Sequence, residues 1–338
     1  MMFSDESKNS NKILGYMTRK YGKRFGFLGL LKACAVVSSL CKEFPRLNVC
    51  MIAPTRQFKS RTSVEIKNIF SKKYYIELGS DFTLHSLARK YRTIGKKKLL
   101  DNKCLLINDG TLLLSSKSKQ GRDRLINGLA ELLSDGYYKY GDFSQSFKIE
   151  GRCTMVLNIT LESYFQNKNK LLGNTFLERF LFVFLSGNSD ELNVFLTKKR
   201  VNLGVKFDDR LFDKLKDYEL ETDLNKYGDR ITQISNKYSI LNFRSRIGMN
   251  DVVEAMLKSH ACLNKRTKLN EDDFKFLEML EPFLIDISAP NQHKIILLHL
   301  QGKNISEINS EIYSGRDNRD YIRKTIQTAK FRGIVDIK

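Results

Sequence analysis

The sequence predicts an α/β sheet-and-helix core, then a helical region, then a small C-terminal helix-turn-helix module. Three observations carry this expectation. Short apolar runs alternate with helical stretches as far as about residue 160. From about residue 190 the pattern is helical and the charge balanced. Pro290 opens a last stretch whose apolar spacing fits three short helices and a terminal strand. The boundaries read as 1–190, 191–286 and 287–338, which suits 338 residues at one to two hundred or fewer per unit.

Residues 12–42 read as a helix, with Leu28, Leu31, Ala35, Val36 and Leu40 apolar and Pro45 beyond its end. An apolar strand follows at 47–52, then a turn at 53–60 and a helix over 61–70. A second strand is expected at 74–78 and a helix at 84–92. The basic turn of Lys96, Lys97 and Lys98 leads to a strand within 104–109. Residues 121–135 form an amphipathic helix. Residues 137–149 read as a hairpin with Gly141 and Asp142 at its turn, and 154–158 as a further strand. In the last module Ile295, Ile296, Leu298 and Leu300 space the first helix and Gly302 ends it. Ile305, Ile308 and Ile312 space the second, Ser314 and Gly315 make the turn, and a third helix is expected over 316–331. A strand at 333–337 completes the module.

Composition narrows the function classes. Hydrophobic residues make up 41% of the chain, enough for real cores and too many for a disordered tail. The formal net charge is +20, and residues 1–124 alone carry 26 basic and 9 acidic side chains. An excess of that size points to a polyanionic partner, most simply DNA. Six cysteines without C-x-x-C spacing and four scattered histidines argue against zinc and against a disulfide framework. Buried thiols in a reducing cytosol are expected instead. The apolar run 25–41 is interrupted by Lys32 and serines, and residues 4–11 are polar. The expectation is a soluble cytoplasmic protein with no membrane partner.

The turn after the first strand reads Ala-Pro-Thr-Arg-Gln-Phe-Lys-Ser over 53–60. This is the spacing of a phosphate-binding loop in which Ala53 and Phe58 replace the two glycines while Lys59 and Ser60 remain. In the intact loop, glycines let backbone N–H groups curl around phosphate, lysine reaches the β- and γ-phosphates, and the hydroxyl takes Mg²⁺. The next motifs keep the order of a nucleotide site. Asn108 and Asp109 end an apolar strand where a magnesium-binding Asp and a catalytic acid are expected. Asn158 ends the strand at 154–158, Arg179 lies in Leu-Glu-Arg-Phe, and Arg244 and Arg246 begin a helical stretch.

In order and spacing these motifs resemble the AAA+ P-loop ATPases, nearest to the minichromosome-maintenance class. The resemblance spans roughly residues 15–338. It implies a P-loop-like α/β core, a helical lid and a C-terminal winged helix-turn-helix. It further implies that Thr55, Gln57, Lys59, Ser60, Asn108 and Arg246 bind ATP, with Ser60 on Mg²⁺. Asp109 would polarise a water, Asn158 would act as the first sensor, and Arg179 would reach a neighbour's γ-phosphate. The implied assembly is a homo-oligomer, ring or filament-like, in replication, maintenance or regulation of an archaeal or mobile genome. The missing glycines and the neutral Asn108 set ATP turnover apart from ATP binding.

For DNA, the candidates are Lys96, Lys97 and Lys98, then Lys139 and Lys148 on the hairpin. The third helix of the last module adds Arg316, Arg319, Arg323, Lys324, Gln327 and Lys330. The reading that follows is a DNA-binding AAA+-like protein with a degenerate nucleotide site. Its alternatives are a DNA-stimulated ATPase with an atypical P-loop, and a winged-helix transcription regulator whose AAA+-like part oligomerises.

Overall fold

The computed structural model describes residues 3–41, 45–54, 59–79, 82–91, 98–111, 119–141, 146–172, 179–185, 224–286, 289–314 and 316–335. Five parallel strands pair in one sheet: β1 (Asn48–Ala53), β2 (Tyr75–Leu78), β3 (Lys103–Ile107), β6 (Cys153–Thr160) and β7 (Phe180–Phe184). Their spatial order is β2-β3-β6-β1-β7. A parallel sheet is covered on both faces, so its strands read as continuous apolar runs rather than as alternations. All six residues of β1 and all five of β7 are buried accordingly. A separate antiparallel hairpin, β4 (Tyr137–Gly141) with β5 (Ser146–Glu150), sets Lys139 opposite Lys148.

One face of the sheet, with Val49, Met51, Leu106, Val156 and Leu181, packs on α1 (Lys8–Tyr21), α2 (Lys23–Ser38) and α3 (Lys59–Ile69). The same core takes in α7 (Leu224–Asn242), α8 (Arg246–Leu263) and α9 (Glu271–Leu280). The other face, with Ile52, Leu105, Met155 and Phe182, packs on α4 (Leu84–Tyr91), α5 (Lys119–Asp135) and α6 (Leu161–Leu172).

The single helix expected over 12–42 is two helices. Gly22 sits between them at φ 96°, a conformation that L side chains rarely adopt. The hairpin is tight because α2 presents glycine to α1. A Cβ on Gly29 would come within 2.7 and 2.8 Å of Met17, and one on Gly26 would strike Thr18 and Leu14.

Buried carboxylates pin α1 at both ends. Toward α3, Glu65 accepts from Lys20 Nζ at 2.7 Å, from Tyr21 at 2.5 Å and from the Tyr16 hydroxyl. Toward α9, Asp272 accepts from Ser4 and from Ser7 Oγ at 2.9 Å. Beside it, Ser10 Oγ lies 3.0 Å from His260 Nε2, whose Nδ1 is 2.6 Å from Asp273. Arg266 adds two donors to Asp273. Serine, histidine and aspartate in this order resemble a hydrolase relay, but all three are fully buried. They act as an internal tie. Burial pushes Asp273 up, yet the bonds from His260 and Arg266 outweigh it and hold the carboxyl below its usual range. Asp272 and Glu65 are lowered too, their hydrogen bonds outweighing burial.

The sheet continues into a fifth strand, β7, that the sequence reading did not include. β7 is an edge, and side chains cover part of it. Asn242 Nδ2 donates to Phe182 O, its Oδ1 accepts from Phe182 N, and Arg244 Nη1 donates to Phe180 O.

The last module comprises α10 (Gln292–Leu300), α11 (Ile305–Tyr313) and α12 (Arg319–Phe331) around Ile295, Leu298, Ile308, Ile322 and Ile326. Ile296, Ala329 and Ile334 pack it against Phe243 at the end of α7. The third helix starts at Arg319 rather than 316. Asn309 Oδ1 accepts from Asn318 N, and Asp317 Oδ1 accepts from Arg319 N, which fixes a loop there. The strand expected at 333–337 does not form in its described part, 333–335, where the chain is turn and bend. Gly333 at φ 64° is a helix C′ residue. Its N–H returns to Lys330 O and that of Ile334 to Ala329 O, closing a Schellman motif. No helix among the described residues is long and apolar enough to cross a membrane, and all six cysteines are free.

Two outcomes follow. Gly26→Val overfills the α1–α2 contact and destabilises the protein by about 1–3 kcal/mol in denaturant titration. Glu65, Asp272 and Asp273 titrate lower folded than unfolded. Their stabilisation is therefore complete above about pH 5 and lost as pH falls through their folded values. The thermal midpoint should be level from neutral to about pH 5 and drop below it, and Asp273→Asn should flatten that drop.

Candidate functional site

β1 and β6 are neighbours whose outgoing connections diverge. The chain leaves β1 for β2 at one edge, and leaves β6 for β7 beyond β1. At such a switch point the carboxyl ends of the strands frame a crevice suited to ligands. Lys59 opens α3 there, and the next residue, Ser60, is exposed. Ser60 Oγ donates to Asn108 O at 3.1 Å, joining the start of α3 to the exit of β3. Gly110 N donates to Asn158 O at 2.7 Å, tying that exit to β6. A Cβ on Gly110 would meet Leu157 at 2.5 Å, so packing as well as turn chemistry calls for glycine after Asp109.

Glu77, Asn108 and Asn158 occupy like-facing positions on β2, the β3 exit and β6. Asn108 Nδ2 donates to Glu77 Oε1 at 2.5 Å, and Glu77 also receives Lys67 Nζ at 2.6 Å. Asn108 Oδ1 is buried and has no hydrogen-bond partner among the described residues. Glu77 thus fixes the amide nitrogen and leaves the buried oxygen without a partner among the described residues. Sequence reading missed Glu77, a lone carboxylate in Tyr-Ile-Glu-Leu. The pairing of Glu77 with Leu106 is what brings it two residues from Asn108. Asp109 is exposed, and its Oδ1 accepts from Thr111 N at 2.9 Å.

Asn158 lies deeper. It is fully buried, two residues short of the end of β6. Its Oδ1 accepts from Lys32 Nζ at 3.3 Å and its Nδ2 donates to Ser63 Oγ at 3.1 Å. Lys32, also fully buried, donates to Thr62 at 2.8 Å and to Ser63 at 2.7 Å. A cation in that layer was not foreseen. Its ammonium is solvated by hydroxyls and an amide in place of water.

The remaining candidates are elsewhere or undescribed. Thr55 and Gln57 lie outside the described residues, as do Lys96 and Lys97. Arg179 precedes β7, at the amino ends of the strands. Arg246 Nε donates to Ile334 O at 3.0 Å, joining α8 to the last module. Neither reaches the Ser60–Asn108 cluster, from which the length of β1, about 17–20 Å, separates them. Lys98, Lys139 and Lys148 are exposed, with Lys148 paired to Glu150 at 2.6 Å. Arg316, Arg319, Arg323, Lys324 and Gln327 are exposed and Lys330 half-buried. Arg323 pairs with Asp320 at 3.0 Å.

The donor set at the crevice is hydroxyl, amide oxygen and one carboxylate. These hard oxygens suit a hydrated Mg²⁺ that brings most of its ligands with a phosphate. No group of three or more His, Cys, Asp or Glu able to hold a metal occurs among the described residues. No protein-family model matches the chain, and no curated protein matches it.

Asn108→Asp illustrates the chemistry. An aspartate here would face the Glu77 carboxylate where the amide now donates a hydrogen bond. The variant should lose about 1–3 kcal/mol at neutral pH. Thermal unfolding should show part of that loss restored by Mg²⁺ or by lowering the pH toward 5.

Proposed function

We propose that the chain is a DNA-binding protein on an AAA+-like core, in which the degenerate site binds nucleotide as a regulator rather than turning it over. The observation that carries this reading is the Ser60–Asn108 contact at the switch point. It joins the start of the helix after β1 to the exit of β3 beside β6, where a phosphate-bound cation would need both. Bound ATP would place its phosphates at the start of α3, and Mg²⁺ would take Ser60 Oγ and Asn108 Oδ1. When bound, the nucleotide supplies charge and a conformational signal.

Turnover is disfavoured by what the neighbouring groups already do. One Asp109 oxygen is spent on the Thr111 amide, and the Asn158 amide is spent on Lys32 and Ser63. Arg246 serves the last module. A hydrolytic site needs these groups free to meet a water and a γ-phosphate.

DNA is favoured by charge. The excess sits in residues 1–124, with a net of +17 out of +20. Added to it are the exposed Lys139 and Lys148 on the hairpin and the outward Arg316, Arg319, Arg323, Lys324 and Gln327. Such a surface grips phosphate backbone, and each contact releases counterions. The role proposed is replication, maintenance or regulation of a genome by a homo-oligomer.

DNA affinity should fall by about 10³-fold or more between 50 and 200 mM salt if roughly six phosphates are engaged. A flat response in fluorescence anisotropy would overturn the DNA assignment. Calorimetry should show ATP binding that Lys59→Ala weakens by about tenfold. Phosphate release with DNA and Mg²⁺ should stay at background, and brisk release would favour the ATPase reading instead.

A further inference from the structure

A cavity of about 730 Å³ lies at the amino ends of the strands, the opposite end of the sheet from the Ser60–Asn108 crevice. Its volume falls within the range of small-molecule sites, roughly 300–1,000 Å³. One wall is basic. Arg46, only 6% exposed, is anchored by Nη1 on Cys153 O, and Arg179 stands at the head of β7. Arg179 Nε is buried without a hydrogen-bond partner among the described residues. The start of α8 also lines it, where Gly248 leads to Asp251 and Glu254. Neither Arg179 nor Asp251 has an ion-pair partner among the described residues, although both face the same space. Burial pushes the Asp251 carboxyl up, and lowers the Arg46 guanidinium to about 10.

Two guanidiniums and two carboxylates lining one cavity suit a ligand with two unlike ends. We infer that the cavity binds a phosphate monoester of mononucleotide size, with its phosphate on Arg46 and Arg179 and its hydrogen-bond-donating end on Asp251. Guanidinium forks match phosphate oxygens bidentately. Asp251 rejects an anion at its end and accepts N–H groups such as the amino group of a base, while Glu254 already accepts from Asn250 Nδ2 at 2.9 Å and lies 3.8 Å from Lys258. The site needs no second copy of the chain. It gives Arg179 a task within its own subunit, and it does not depend on the nucleotide reading of the carboxyl-end crevice.

Calorimetry on full-length protein carrying Lys59→Ala tests this with AMP and inorganic phosphate as probes. AMP should bind that protein with an affinity within about twofold of the parent. Adding Arg179→Gln should weaken AMP and phosphate by about tenfold or more, and Arg179→Lys should give a smaller loss. Asp251→Asn should weaken AMP by about tenfold and leave inorganic phosphate within about twofold. The thermal midpoint of each unliganded variant guards against simple unfolding. The proposal is overturned if neither probe gives heat, or if AMP binding disappears with Lys59→Ala and ignores Arg179→Gln. AMP affinity unchanged by Asp251→Asn overturns the orientation. Binding seen only in a sedimenting oligomer would assign the cavity to a second copy and overturn it as well.

Discussion

The seating of α2 between the sheet and α8 is the contact on which the other layers depend. Fourteen of its sixteen residues are buried. A helix apolar all round has no solvent face, so something must cover it on every side. The sheet covers one side, α1 a second and α8 a third. The glycines at 26 and 29 let α1 approach closely enough to complete the cover. Lys32 is the one buried charge in this helix, and Thr62, Ser63 and Asn158 solvate it. That arrangement fixes α3 and β6 relative to α2, and with them the crevice whose edges are Ser60 and Asn108. The candidate site is therefore positioned by the N-terminal helices as much as by the strands that frame it.

The carboxylate ties extend the same logic. Glu65 holds α1 to α3, while Asp272 and Asp273 hold the N-terminal segment to α9 and α8. A buried carboxylate with one donor is a liability, and with three or four it is a directional fastener. Each of these three has several donors. Their geometry joins the residue-224-to-286 helices to the core through the N-terminal helices.

Much of the core was legible because parallel strands are apolar throughout and their flanking helices are not. β1, β2, β3 and β6 were each found within a residue or two by that contrast, and the hairpin by its turn. β7 was missed because Phe-Leu-Phe-Val-Phe follows Arg179 directly, and the arginine was read as part of a motif instead. The α1–α2 break was hidden in a continuous apolar pattern, because a positive φ at Gly22 leaves no periodicity signal. The terminal strand was expected from Ile334 and Val335, whose burial instead serves a helix end against Phe243. Ser60, Asn108 and Asp109 were singled out by spacing along the chain, and the fold places them near one another at the carboxyl ends of the strands. Glu77 and Lys32 enter through strand register and helix packing, which linear spacing does not carry. Arg179 and Arg246 were read into the same series by spacing along the chain, and lie at the far end of the sheet from Ser60.

The Asn242 amide that pairs with Phe182 bears on how copies of the chain could meet. An amide that donates and accepts at one residue imitates the next strand, and it occupies the place another chain's backbone would take. At the other edge, β2 is four residues long and carries an outward Glu77 bound to Lys67. Among the described strands, one edge is partly occupied by this mimicry and the other is short. Assembly through helix faces and loops would leave both of these edges as they are. Such contacts can loosen and re-form without breaking a hydrogen-bonded ladder.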